Sequence, residues 1–243
     1  MASVARLLAL AFAPPDDDGD ARIAAIGDAL LRDLPEGPLG GAVAGLLDAI
    51  PDDAQGCTAR GAEHHRLFGG NVACPPYETS YAPDPFQQAR QMSDVAGFYA
   101  AFGATADGPA NDRPDQVGCQ LEFLAYLMAQ RLRAAAEGRP ADAAVCAAAE
   151  ADFLREHLGR WLGPFCLELE RATEHPWYAA VARLGQRFAV EELDRRGLHA
   201  DPVLARRIRT VVERDTFDCG AEGGPAAALN GVLGRGERAR GGP

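Results

Sequence analysis

A chain of 243 residues, 47% hydrophobic and 24% charged, is long enough for one large or two small cores and reads as globular rather than disordered, fibrous or membrane-spanning. Its formal net charge of -11 repels phosphate backbones and anionic lipid, which excludes nucleic acid as an expected partner and favours cationic segments. All 24 basic residues are arginine, so Schiff-base chemistry, pyridoxal phosphate attachment and a Walker A loop, each dependent on a lysine amine, are excluded.

The first residues, MASVARLLALAF, read as an amphipathic helix over about 3–12 that Pro14 and Pro15 stop. An arginine, a short apolar run and A-F-A imitate a secretory signal, but the run from Leu7 to Ala13 is barely long enough and only Arg6 charges its n-region. Helices are then expected over about 20–34, 38–49 and 59–68, with Pro35 and Pro51 between them. Apolar residues recur at intervals of three and four, Thr, Ile and Val are sparse, and period-two alternation is hard to find, so the fold class is all-α.

CPPYETSY, residues 74–81, breaks this pattern: its prolines fix an extended backbone and its tyrosines offer broad apolar faces with polar tips. Either it is a rigid connector whose Tyr77 and Tyr81 pack on neighbouring helices, or it forms a wall for a bound peptide. A helix over 85–102 follows, and then the strongest one, over 114–137. Val117, Leu121, Leu124 and Met128 make its apolar stripe, widened by Phe123, Leu127 and Leu132, so it is expected to be the central spine. Asp112 is expected to cap it, with Pro114 in the first turn and Asp115 at the positive end of the dipole. The same two aspartates offer carboxylates to arginines of a partner, and spacing leaves both roles open.

Further helices are expected over 139–159, 164–173, 176–195 and 201–213, separated by Gly163, Pro176 and Gly197. In EHLGRWLGPF, Leu154, Leu158, Trp161 and Phe165 share one helical face and read as core. From Gly220 the chain is glycine-rich, giving an expected helical domain over 1–219 and a loosely held tail over 220–243. No stretch approaches the ~20 apolar residues of a membrane helix.

Six cysteines, at 57, 74, 119, 146, 166 and 219, contain no C-x-x-C pair and fit a reducing cytoplasm. Cys57, His64, His65 and Cys74 are the right residue types for zinc but irregularly spaced, which leaves a small metal-dependent hydrolase as the alternative reading. No serine lies in G-x-S-x-G.

Taken in order, PPYETSY, RPDQ…LEFLAYL and REHLGRWLGPF resemble the TorD/DmsD/NarJ family of redox-enzyme maturation chaperones, and weaker likeness extends over about residues 5–195. The resemblance implies a compact helical domain without catalytic activity or a cofactor of its own. It implies a cytoplasmic chaperone that binds the twin-arginine leader or N-terminal region of a molybdopterin-containing catalytic subunit until cofactor is inserted. The molybdopterin cofactor or its insertion machinery is a further implied partner, and relatives occur as monomers and as swapped dimers. Carried onto this chain, the peptide-binding residues are Pro76, Tyr77, Glu78, Tyr81, Asp112, Pro114, Asp115, Gln116, His157 and Trp161. Gln116 departs from the family pattern, which has histidine there, and puts any role for a charged imidazole in doubt.

Overall fold

The computed structural model describes residues 1–34, 36–69, 72–82, 84–106 and 113–200. The chain divides into two units, Met1–Arg207 and Ile208–Pro243, and every described residue lies in the first. Asp112, Cys219, the expected helix over 201–213 and the tail from Gly220 fall outside the described residues.

Among the described residues the chain is helical throughout: α1 (Ala2–Phe12), α2 (Asp17–Asp33), α3 (Pro38–Leu47), α4 (Ala54–Phe68), α5 (Pro85–Ala101), α6 (Val117–Ala136), α7 (Pro140–Phe153), α8 (Gly159–Ala172) and α9 (Pro176–Arg196). One 3-10 turn, Glu78–Tyr81, precedes α5, and a π turn, Leu154–Leu158, joins α7 to α8. No helix of the described residues is long and apolar enough to cross a membrane.

Local chemistry explains most helix starts. Asp16, Asp53 and Asp84 accept hydrogen bonds from the first free backbone N–H groups of α2, α4 and α5. Prolines open α3, α5, α7 and α9, where a missing N–H costs nothing. At its far end α9 stops at Gly197, whose φ of 61° suits a residue without Cβ.

The core forms where α1 packs against α6 and α9, with the hairpins α6–α7 and α8–α9 around it. In keeping with the amphipathic expectation, α1 buries a broad face, with Val4, Ala5, Leu7 and Leu8 inaccessible, and leaves Ser3 and Arg6 exposed. A helix so apolar has its lowest free energy between two others rather than on the surface. The α6 stripe is buried as expected except Leu132, which is 57% exposed, while Ala134 beyond it is buried. Two buried carboxylates bind three helices together. Glu150 of α7 accepts from Arg131 of α6 at 2.7 Å and from Arg196 of α9, and Glu192 of α9 pairs with Arg195 and Arg196.

Gly163 and Pro164 do not separate two helices; α8 runs through both. The interruption lies earlier, at the π turn, where the chain gains an extra residue per turn. Gly159 permits it: a Cβ there would stand 2.3 Å from the carbonyl oxygen of Leu154.

Candidate functional site

The 74–81 segment is tied to the head of α6 by backbone hydrogen bonds. Val117 N–H donates to Pro76 at 2.9 Å, Glu78 N–H donates to Asp115 at 3.0 Å, and Tyr77 and Gln116 form an isolated antiparallel bridge. Pairing with an extended strand holds residues 114–116 out of the helix, so α6 begins at Val117 rather than at Pro114. Gln116 caps it, its side-chain oxygen accepting from Gly118 and Cys119 at 2.5 and 3.1 Å. Beyond the bridge, Ser80 N–H donates to Tyr77 and Ala82 N–H to Thr79, closing ETSY into its 3-10 turn.

Asp115, expected on an exposed helix start, is wholly buried. Its Oδ2 accepts from Thr79 N–H at 3.1 Å and from the Thr79 hydroxyl at 2.7 Å, and Arg113 closes on both carboxylate oxygens at 3.0 and 2.9 Å. Arg113 also lies over the Tyr77 ring, 4.6 Å from its centroid. The aspartate is thus satisfied within the chain, by an arginine two residues away and by the segment it clasps. Pro114 accepts from the Tyr99 hydroxyl at 2.7 Å. Burial of that phenol raises its pKa far above the ordinary value.

Glu78 is equally enclosed, at 2% exposure. Its Oε2 accepts from Gln120 Nε2 at 2.5 Å and its Oε1 lies 3.1 Å from His157 Nδ1, which the π turn presents. The oxygen of Gln120 in turn accepts from Trp161 Nε1 at 3.0 Å. Tyr81 lies 5.7 Å, centroid to centroid, from the Trp161 ring, and its hydroxyl donates to Pro75 at 3.4 Å. Glu78, Tyr81, His157 and Trp161 therefore form one hydrogen-bonded and stacked core unit behind the segment, instead of lining an open face.

Pro76, Tyr77 and Gln116 do face an open cleft of about 250 Å³. Phe12 at the end of α1, Pro14 just beyond it, and His64 and Phe68 of α4 complete its wall, and Glu122 of α6 stands at it, solvent-exposed. Among the described residues no arginine pairs with Glu122. Burial holds the His64 imidazole below its ordinary pKa, with Nε2 3.5 Å from the Phe12 carbonyl.

The nitrate reductase delta subunit family model matches residues 33–167, more than half of the chain. This chain belongs to that family. Among curated proteins, it is 32% identical over 142 residues to the chlorate reductase assembly chaperone protein of Ideonella dechloratans, covering 57% of this chain and 72% of that one. It is 33% identical over 120 residues to the selenate reductase assembly chaperone protein of Thauera selenatis, with 49% and 60% covered. The perchlorate reductase assembly chaperone protein of Dechloromonas aromatica matches at 31% over 101 residues, 42% of this chain and 44% of that protein. The matched stretch thus spans between 44% and 72% of the length of these relatives. A solved redox enzyme maturation protein from Archaeoglobus fulgidus superposes with a TM-score of 0.50 at 21% identity, over 77% of this chain and 93% of that one, which is a likeness of fold. The TorD/DmsD/NarJ resemblance is in accord: chaperone proteins named TorD from Vibrio cholerae are among the relatives.

Within this delta-subunit fold, Gln116 shows what its position requires. At the head of α9, His175 caps in the same way, its Nδ1 accepting from Trp177 N–H at 3.2 Å. A neutral imidazole and a glutamine amide are equivalent caps, so Gln116 keeps the geometry without a titrating group. Sequence reasoning missed Gln120, Thr79 and Glu122. Gln120 had a signal: a polar residue on the apolar face, between Val117 and Leu124, marks a buried hydrogen bond. The alternative metal cluster does not assemble. Cys57, His64 and His65 lie along α4, buried Cys74 points its thiol at the Phe165 carbonyl 3.9 Å away, and among the described residues no three metal-ligating side chains converge.

Proposed function

We propose that this chain is an assembly chaperone for the catalytic subunit of a molybdopterin-containing oxidoreductase, acting in the cytoplasm. It binds the subunit's twin-arginine leader or N-terminal region and holds it for cofactor insertion before export. Relatives in the family named as reductase assembly chaperones support the class of activity. The observation that carries the reading to a site is the cleft beside Tyr77, where an apolar wall of Phe12, Pro14, Phe68 and Pro76 meets the exposed carboxylate of Glu122, which pairs with no arginine among the described residues. A leader offers arginines followed by an apolar stretch, and this cleft offers the complement of each. Net negative charge on the whole chain adds attraction for a cationic peptide.

On this reading Pro76, Tyr77 and Gln116 touch the peptide, while Glu78, Tyr81, Pro114, Asp115, His157 and Trp161 hold that face in shape. Asp112 is the second acidic candidate. Calorimetric titration with the leader of a candidate client, beside a copy with both arginines replaced by glutamine, is the test. Glu122→Gln and Tyr77→Ala are each expected to weaken binding by about 1 kcal/mol or more, the lower range for a lost charge-assisted or stacked contact. Equal affinity of both peptides, or of both variants and wild type, removes the site from consideration.

A further inference from the structure

A groove of about 460 Å³ runs between α3 and α9, which pack side by side. Its α3 wall is Pro38, Gly41, Ala42 and Gly45, spaced at three and four and therefore on one helical face. Gly41 and Gly45 are exposed, and a Cβ at either would meet nothing within 4 Å. Neither is among the glycines with positive φ, so backbone conformation and internal packing both leave room for alanine, the better helix former. What the bare face does allow is close approach of another backbone. Gly61, Gly97 and Gly163 are as open, but they line neither this groove nor the cleft beside Tyr77.

The α9 wall supplies the chemistry. Val190 is 51% exposed there, and Arg187 is exposed in the same wall. Among the described residues Arg187 has no ion pair or hydrogen bond. Arg183, one turn earlier, is 58% exposed and stands 3.7 Å from Glu170, a surface pair that contributes little. Among the described residues no carboxylate lines the groove, although the chain carries a net charge of -11. An extended segment lying here would bury unpaired backbone groups against α3, because Pro38, Gly41, Ala42 and Gly45 offer no side-chain donors or acceptors. A helix satisfies its own backbone and avoids that cost.

We propose that this groove docks an acidic amphipathic helix of a partner protein. Small and apolar residues of that helix lie along Gly41, Gly45 and Val190, at the short interaxial distance that glycine permits, and one of its carboxylates takes hydrogen bonds from the Arg187 guanidinium. The same arginine disfavours a cationic leader, so the groove and the cleft beside Tyr77 select opposite charges. No residue lines both, and docking here stands whether or not the cleft takes a leader.

NMR titration of the isotope-labelled full chain tests this with a synthetic helical peptide of about 18 residues, alanine and leucine on one face and glutamates along its flank. Copies with glutamine or lysine in place of the glutamates run in parallel. Saturable shifts of the Gly41 and Gly45 amide signals are expected, with affinity at least about fivefold weaker for Arg187→Gln or for the glutamine peptide, and no saturation with the lysine peptide. A Gly41→Leu, Gly45→Leu double variant fills the groove and is expected to abolish binding with its thermal midpoint held or raised; if it fails to fold, exposed Arg187 still decides. Absence of saturable shifts at the two glycines, a glutamine or lysine peptide bound as tightly as the glutamate one, or an Arg187→Gln variant that binds like wild type overturns the proposal. So does a concentration-dependent dimer in sedimentation that Arg187→Gln abolishes, since it gives the groove to a second copy of this chain.

Discussion

Replacing Glu78 with leucine removes the one acceptor shared by Gln120 Nε2 and His157 Nδ1 while keeping nearly the same side-chain volume. Glu78, Gln120 and His157 are 2%, 0% and 3% exposed, so water cannot replace the lost carboxylate. Each buried donor left unpaired costs about 1–3 kcal/mol, so the two together give an expected loss of about 2–6 kcal/mol. That is a large share of the stability of an ordinary domain, roughly 5–15 kcal/mol. Glu78→Gln offers an acceptor to Gln120 and an amide to His157 in its other tautomer, and should lose only about 1 kcal/mol, the charge assistance. Urea denaturation followed by circular dichroism measures both: the midpoint should fall with an unchanged m value. A loss below about 1 kcal/mol for Glu78→Leu would refute the buried network. If leader binding then vanished while stability held, Glu78 would be a direct peptide contact after all.

Gly159→Ala should destabilise by about 2–3 kcal/mol, since its Cβ meets a backbone oxygen at 2.3 Å that cannot swing away, whereas Gly163→Ala, with nothing within 4 Å, should be neutral or stabilising by up to about 1 kcal/mol; thermal midpoints compare them, and equal midpoints contradict the π-turn account. Stability should fall on mild acidification because burial holds His64 and His175 below the ordinary value of 6.5. The unfolded chain then takes up protons first, so this contribution is complete above about pH 6.5 and is lost as pH drops through the folded values. Glu63, lowered by its hydrogen bond from Arg66, adds a further loss that sets in below its ordinary value of 4.5. A His64→Gln, His175→Gln variant should show a flatter midpoint between pH 7 and pH 5, and a wild-type profile already flat there would disprove the assignment.

The sequence by itself determined the helical class, most helix limits and the apolar faces of α6 and α8, because capping residues, prolines and a period of three to four act over a few neighbours. The family resemblance, not any local pattern, grouped the PPYETSY segment with the residues around Asp115, Gln116, His157 and Trp161. Only the tertiary structure decided what those residues do. Asp115 and Glu78 have the composition of exposed recognition carboxylates, but their partners lie 36 and 42 residues away in Thr79 and Gln120, and for His157 the separation is 79. Burial is a property of what packs over a side chain, and the α1, α5 and α8 surfaces that enclose this segment come from distant parts of the chain. For the same reason the cleft beside Tyr77 and the Glu122 carboxylate beside it are invisible in one dimension: they exist where the ends of three helices meet, and no local pattern encodes a meeting point.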